Sequence, residues 1–237
     1  MDLESCKEGQ ADVLAPRPPP VSTPAPAPSR HLEVHLGDPG AALVISFGFA
    51  SWDAAPGFDF TGRIAKLGSA LGTSFHRLAL RDPDNLWYQA GLPDVAGGAV
   101  GLHALLAGWI DRLRPVRVIT IGQSMGAYAA IHYGRALGVD GIVAFGPQSW
   151  LLADEARRLG DTRWLPVMSR LREPTGNGIC LDLLAARPET DRVPEIRIVY
   201  GLRHDDSTGP PNFDAWHAAR LAALPRTTCL LYTSPSP

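Results

Sequence analysis

A serine set between two glycines, in Gly122-Gln123-Ser124-Met125-Gly126, is the group in this chain best suited to nucleophilic chemistry. It follows the apolar, β-branched run Val116-Arg117-Val118-Ile119-Thr120-Ile121 and precedes the small-residue run Ala127-Tyr128-Ala129-Ala130-Ile131. A strand, then G-x-S-x-G, then a helix implies a chain reversal at the serine. The reversal is so sharp that side chains two residues either side would collide, so both positions are glycine. Such a turn lifts the hydroxyl clear of the sheet and points the first N–H groups of the helix toward it. The chemistry this suits is attack of the hydroxyl on a carbonyl, helped by a neighbouring base that removes its proton.

The elements that must carry this turn alternate along the chain. Strand patterns occupy residues 31–36, 42–47, 75–80, 116–121, 141–145 and 196–200, and helical patterns occupy 60–71, 95–113, 125–137 and 214–224. Several strands are near-continuous apolar runs, as expected when both faces of a parallel sheet are covered. Asp59 and Asp214 are placed to cap helices at their N-termini, and Gly72 and Gly138 to end them. Alternating β and α predicts an α/β fold, a doubly wound and mostly parallel sheet with right-handed crossovers. One connection, about fifty residues between Phe145 and Ile196, exceeds what a crossover needs. Its segment from about 149 to 190 carries Trp150, Leu151, Leu152, Trp164, Leu165 and Met168. Either a lid over a pocket or extra helices packed on the domain accounts for that apolar content.

Composition bounds the function classes. The 237 residues are 45% hydrophobic with a formal net charge of −2, enough for one domain with a sizeable core and no basic excess for nucleic acid or an anionic membrane surface. Only Lys7 and Lys66 are lysines among 22 basic residues, and with abundant Ala, Gly and Pro this resembles a GC-rich bacterial coding bias. Cys6, Cys180 and Cys229 are too few and scattered for a disulfide framework or zinc site, so free thiols are expected. No apolar stretch approaches ~18 residues, and the acidic N-terminus does not read as a secretory signal, which points to a cytoplasmic protein. Neither G-x-x-x-x-G-K-[ST] nor a strand followed by G-x-G-x-x-G occurs, so no nucleotide cofactor is expected, nor any other cofactor or metal.

The ends read differently. Residues 1–30 form a Pro-rich segment expected to be disordered, with an extended linker at 15–29. Cys229-Leu230-Leu231-Tyr232-Thr233-Ser234-Pro235-Ser236-Pro237 resembles read-through of a sequencing adapter, so residues 229–237 are expected to be a non-native tail and 31–228 the folded domain.

Over roughly residues 32–225 the chain resembles the α/β-hydrolase fold, with the serine turn as its specific match. Ala42-Leu43-Val44-Ile45-Ser46-Phe47-Gly48-Phe49 is similar to the strand and loop that precede that family's oxyanion hole. The family's usual histidine before the glycine is Phe47 here, so only a backbone role carries over. Ile198-Val199-Tyr200-Gly201 is similar to the strand after which the family places its acid. The resemblance implies Ser124 as nucleophile and the backbone N–H groups of Met125 and Phe49 as oxyanion donors. It implies an acid at Asp214 or at Asp205 or its neighbour Asp206. The base should follow one further strand. None of His31, His35, His76, His103, His132, His204 and His217 fits that position. The expectation is therefore a truncated domain lacking its last strand, histidine and helix.

Asp84-Asn85-Leu86-Trp87-Tyr88 lies at the rim of such a site or packs in the core, and Gly146-Pro147-Gln148 lies at the sheet edge where this architecture binds ligands. The function implied is a serine hydrolase acting on a small-molecule ester or related acyl bond. Acyl transfer to another acceptor, or a non-catalytic binding role for an incomplete site, are the alternatives.

Overall fold

The computed structural model describes residues 29–51, 56–171, 180–187, 190–201 and 212–232. Most of the Pro-rich segment, Cys6, His204, Asp205, Asp206 and residues 233–237 lie outside these. A seven-stranded sheet is built from β1 (Leu32–His35), β2 (Leu43–Phe47), β3 (His76–Leu80), β6 (Val118–Gln123), β7 (Gly141–Phe145), β8 (Glu195–Gly201) and β9 (Thr227–Tyr232). Its order is β1-β3-β2-β6-β7-β8-β9, with β1 antiparallel to β3 and every other pairing parallel. Two short strands, β4 (Gly91–Leu92) and β5 (Ala96–Gly97), form a separate antiparallel pair.

The central strands are buried because helices cover the sheet; all five residues of β2 are buried. The helices are α1 (Thr61–Leu71), α2 (Gly98–Leu113), α3 (Met125–Ala136), α4 (Ala153–Leu159), α5 (Leu165–Met168) and α6 (Phe213–Leu221). The small residues of α3 bring its backbone close to the sheet. A Cβ on Gly134 would lie 2.6 Å from Thr120 Oγ1, and that hydroxyl donates to the Ala130 carbonyl at 2.8 Å. Beside it, Phe47 stacks on Tyr133 at 5.7 Å and meets Tyr88 edge-on at 5.1 Å. Such aromatic pairs each contribute about 1 kcal/mol beyond the area they bury.

Four expectations need correction. A strand does follow α6: Thr227-Thr228-Cys229-Leu230-Leu231-Tyr232 pairs parallel with β8, from Ile196↔Thr227 to Gly201↔Tyr232. Residues 229–232 thus belong to the sheet. Their β-branched and apolar character suits the open edge of β8, and Leu230, Leu231 and Tyr232 remain exposed on it. Helix α2 starts at Gly98 rather than 95, because Val95 and Ala96 are taken by the β4–β5 turn. Asp59 is no N-cap; Phe60 holds that position without a side-chain bond, and Asp59 accepts instead from the Phe60 N–H and Arg63. Asp214 is no cap either, since Asn212 accepts from the Ala215 N–H at 3.1 Å. The glycine stops hold, with φ 61° at Gly72 and 60° at Gly138.

The long connection is packed into the main core: Trp150, Leu151, Ala156, Val167, Met168, Leu171, Cys180 and Leu183 join the same cluster as the strands. Among the described residues no helix is long and apolar enough to cross a membrane, and no group of three His, Cys, Asp or Glu side chains is placed to hold a metal.

One core feature makes stability pH-dependent. Burial, with the charges of His103 and Arg135 adding to it, pushes His132 down from 6.5 to about 4. The fold therefore favours the neutral ring, and the unfolded chain binds the extra proton. Stability is complete above pH 6.5 and falls as pH drops toward 4. A depression of that size corresponds to about 3 kcal/mol when fully expressed; the ring keeps partial solvent contact, so about 2 kcal/mol is expected. Denaturant titrations at pH 7 and pH 4 measure it, and His132→Gln should flatten that part of the profile.

Candidate active site

The turn between β6 and α3 has the geometry its glycines require. Ser124 sits at φ 51°, ψ −115°, outside the small left-handed well open to L-residues. Strain of this kind costs on the order of 1–3 kcal/mol and persists only where the surroundings enforce it. Here the Ser124 N–H donates to the Phe145 carbonyl at 2.8 Å, while its own carbonyl accepts from the N–H groups of Ala127 and Tyr128. A Cβ on Gly122 would lie 2.1 Å from the Gly126 carbonyl oxygen, and one on Gly126 would lie 2.1 Å from that of Phe47. Both glycines are steric necessities. The half-buried Ser124 side chain makes no hydrogen bond among the described residues.

Register places the loop after β2 beside this turn. Phe47 is level with Gly122, so Gly48 and Phe49 leave the sheet alongside Ser124. The backbone N–H groups of Met125 and Phe49 have no acceptor among the described residues. Phe49 itself is 43% exposed.

Ser124 opens onto a cleft of about 410 Å³, whose walls include Phe145, Trp164, Val199, Tyr200 and Tyr232, with Gln148, Arg163 and Asp214 as polar groups. Asp214 is thus brought to the site. Its Oδ1 accepts from Arg163 at 2.9 Å, whereas Oδ2 has no hydrogen-bond partner among the described residues and faces Gly146, where a Cβ would lie 3.5 Å away. Asp205 and Asp206 lie outside the described residues.

Arg163 is held from behind by Asp161, which accepts from its Nε at 2.7 Å and Nη2 at 2.9 Å. Burial alone would raise the Asp161 carboxyl, but the bonds from Arg163 and His217 outweigh it and hold it well below the usual carboxylate range. The hydrogen-bonded Asp161 carboxylate in turn pushes the Arg163 guanidinium higher.

His217, fully buried, has the Ser149 N–H donating to its Nδ1 at 3.1 Å, which leaves the ring proton on Nε2, 3.3 Å from Asp161 Oδ2. Ser149, His217 and Asp161 therefore form a sealed polar brace under the cleft, with no room for substrate. His76 accepts from the Gly37 N–H, and His132 stands 4.6 Å from the Tyr133 ring. No described histidine is hydrogen-bonded to Ser124.

Sequence reasoning overlooked Arg163, Asp161 and Tyr232 at this site, and named Trp164 only as part of the apolar long connection. They come from the long connection and the final strand, and no motif marks them. Trp87 and Tyr88 are fully buried and so belong to the core rather than the rim, although the Trp87 indole N–H donates to Gln148 Oε1 at 2.7 Å.

No protein-family profile and no curated protein matches the sequence. Solved structures do match. The capsule O-acetyltransferase of Neisseria meningitidis serogroup A superimposes with a TM-score of 0.60 at 17% identity, over 86% of this chain and 82% of that one. An alpha/beta hydrolase enzyme from a lagoon-sediment metagenome matches at TM-score 0.47 and 20% identity, over 87% of this chain and 85% of that one. A thermophilic esterase from Thermogutta terrifontis matches at 0.43 and 15%, over 85% and 84%. With a mostly parallel seven-stranded sheet flanked by helices and one antiparallel edge strand, the chain has the α/β-hydrolase fold.

Proposed function

We propose that this chain is a serine hydrolase that cleaves an ester or related acyl bond through an acyl-enzyme on Ser124. The observation carrying this reading is a strained serine whose hydroxyl is uncommitted and faces a cleft between aromatic walls. In the reaction Ser124 Oγ bonds to the carbonyl carbon as its proton passes to solvent, since no described histidine is placed to take it. The carbonyl oxygen, now negative, is stabilised by the N–H groups of Met125 and Phe49, and collapse expels the alcohol, which takes up the proton. Water then repeats the sequence on the acyl-enzyme and releases the acid. Trp164, Phe145 and Tyr232 suit an apolar acyl portion. Asp214 is the acid of this reading, because it lies in the cleft with one carboxylate oxygen unoccupied while Arg163 fixes the other.

The test is to treat the protein with a fluorophosphonate and map the adduct by mass spectrometry. A slow adduct on Ser124 is expected, because the described residues supply no base; an unmodified Ser124 after prolonged treatment would remove the reading. Product analysis with added alcohols separates hydrolysis from transfer.

Turnover by these 237 residues is expected to be weak, since no described histidine can act as the base. A site without its base retains on the order of 10³–10⁴-fold acceleration over water from oxyanion binding and positioning. His204, in the sequence after β8, is expected to contribute nothing. Kinetics of His204→Gln check this: an unchanged rate is the expected result, and loss of a fast rate would identify His204 as the base.

A further inference from the structure

Between β3 and β4, Trp87 at φ 53° and Tyr88 at φ 60° have backbone conformations disfavoured for bulky residues, and Asn85 at φ 52° has one that asparagine tolerates. Conformations of this sort cost on the order of 1 kcal/mol or more each and need enforcement from the surroundings. The enforcer is Asp82, whose buried carboxylate accepts from the backbone N–H groups of Asp84 (3.0 Å), Leu86 (2.8 Å) and Tyr88 (2.8 Å). The Tyr133 hydroxyl adds a bond to the Tyr88 carbonyl at 2.8 Å.

What the strain achieves lies on the neighbouring loop. The Tyr88 hydroxyl donates toward the Gly48 carbonyl at 3.0 Å and the Leu80 carbonyl at 3.1 Å. Leu80 already accepts from the Gly48 N–H at 2.9 Å, so Gly48 is the carbonyl that depends on the phenol. Three residues on, the Asn85 side chain accepts from the Ser51 N–H at 3.1 Å and donates to the Ser51 carbonyl at 3.0 Å. The loop after β2 is therefore gripped at both ends by one strained segment. The Gly48–Phe49 peptide lies between the grips. In a planar trans peptide the carbonyl and the following N–H point in opposite directions. With the Gly48 oxygen drawn inward to Tyr88, the Phe49 N–H is turned away from the core. Burial, reinforced by nearby Asp82, pushes the Tyr88 phenol well above its ordinary value, so it remains a donor at every working pH.

We propose that Tyr88 and Asn85 are positioning residues that orient the Phe49 N–H as an oxyanion donor, with Asp82 locking the strained segment that presents them. The proposal rests on the Ser124 reading above, and the experiment separates the two. Inactivation of the intact chain by a fluorophosphonate is followed as a function of probe concentration, giving a maximal rate and a half-saturating concentration. Losing one oxyanion donor costs 10²–10³-fold in rate, and a donor left in place but loosely held is expected to cost roughly 10–100-fold. Tyr88→Phe should lower the maximal rate by that factor and leave half-saturation within about twofold, as for an interaction made only in the transition state.

Asn85→Gly is the second variant. Glycine takes positive φ without strain, so the fold is retained while the Ser51 grip is lost, and a fall in maximal rate is again expected. If Tyr88→Phe fails to fold, Asn85→Gly alone decides. Wild-type protein that labels at Ser124, with folded variants inactivated at the wild-type maximal rate, overturns the proposal and leaves the Ser124 reading intact. Wild-type protein that does not label at Ser124 overturns both.

Discussion

Ser124→Ala is expected to abolish the fluorophosphonate adduct and the ester turnover that depends on it, while leaving unfolding stability within about 0.5 kcal/mol of the original. The two halves of this expectation have separate causes. The hydroxyl makes no hydrogen bond among the described residues, so its removal leaves no buried partner unsatisfied. Its reactivity, by contrast, is not replaceable. A covalent intermediate requires an oxygen at this position, and triad enzymes lose on the order of 10⁶-fold in kcat when the serine is deleted. The present chain starts from a weaker rate, so the residual activity should fall to what the cleft and its donors supply. Ser124→Gly sharpens the point. Glycine relaxes the backbone at φ 51°, ψ −115°, and a gain of about 1 kcal/mol is expected together with the same loss of labelling. Denaturant unfolding and adduct mass on the three proteins measure both effects. A Ser124→Gly protein less stable than the original would show that the bend is not strained.

Gly126→Ala is expected to lower stability by about 3 kcal/mol or more and to lose labelling with it. The added Cβ would stand 2.1 Å from the Phe47 carbonyl oxygen and 2.9 Å from that of Gly48, and both obstacles are backbone. No side chain can rotate away. Either α3 lifts from the sheet, costing contacts of Ala127 and Ala130 in the core, or the loop carrying the Phe49 N–H is displaced. Overpacking into an occupied site costs 1–3 kcal/mol when side chains can adjust, and more when they cannot. The control is Gly108→Ala in α2, where a Cβ meets nothing within 4 Å. There the better helix propensity of alanine is expected to add about 1 kcal/mol. Opposite signs for the same chemical change would separate steric exclusion at the elbow from the general behaviour of glycine in helices.

The sequence already contained the elbow in readable form because its cause is local. Five consecutive residues and the periodicity on either side dictate a strand, a reversal and a helix, and the glycines at 122 and 126 stand where a side chain cannot. The alternation of apolar runs with helical patterns likewise specified the parallel α/β sheet, since burial on both faces is written into each strand. The final strand, Thr227–Tyr232, was not read from the sequence, because its apolar residues run straight into a Ser/Pro ending and only pairing with the open edge of β8 makes them a strand.

Tertiary structure alone decided how the site is furnished. Arg163 meets Asp214 across 51 residues, Tyr88 meets Gly48 across 40, and Trp87 meets Gln148 across 61. No period or spacing encodes such pairs. Each depends on which strand ends lie side by side and on how the long connection after β7 folds back. Single-residue chemistry was equally silent about His217. Packing drove its ring inward to Asp161 and Ser149 and left Asp214, on the same helix, facing the cleft. Local sequence determines which conformations each segment can adopt, and only the closing of distant segments on one another determines which polar groups lose water together and must pair.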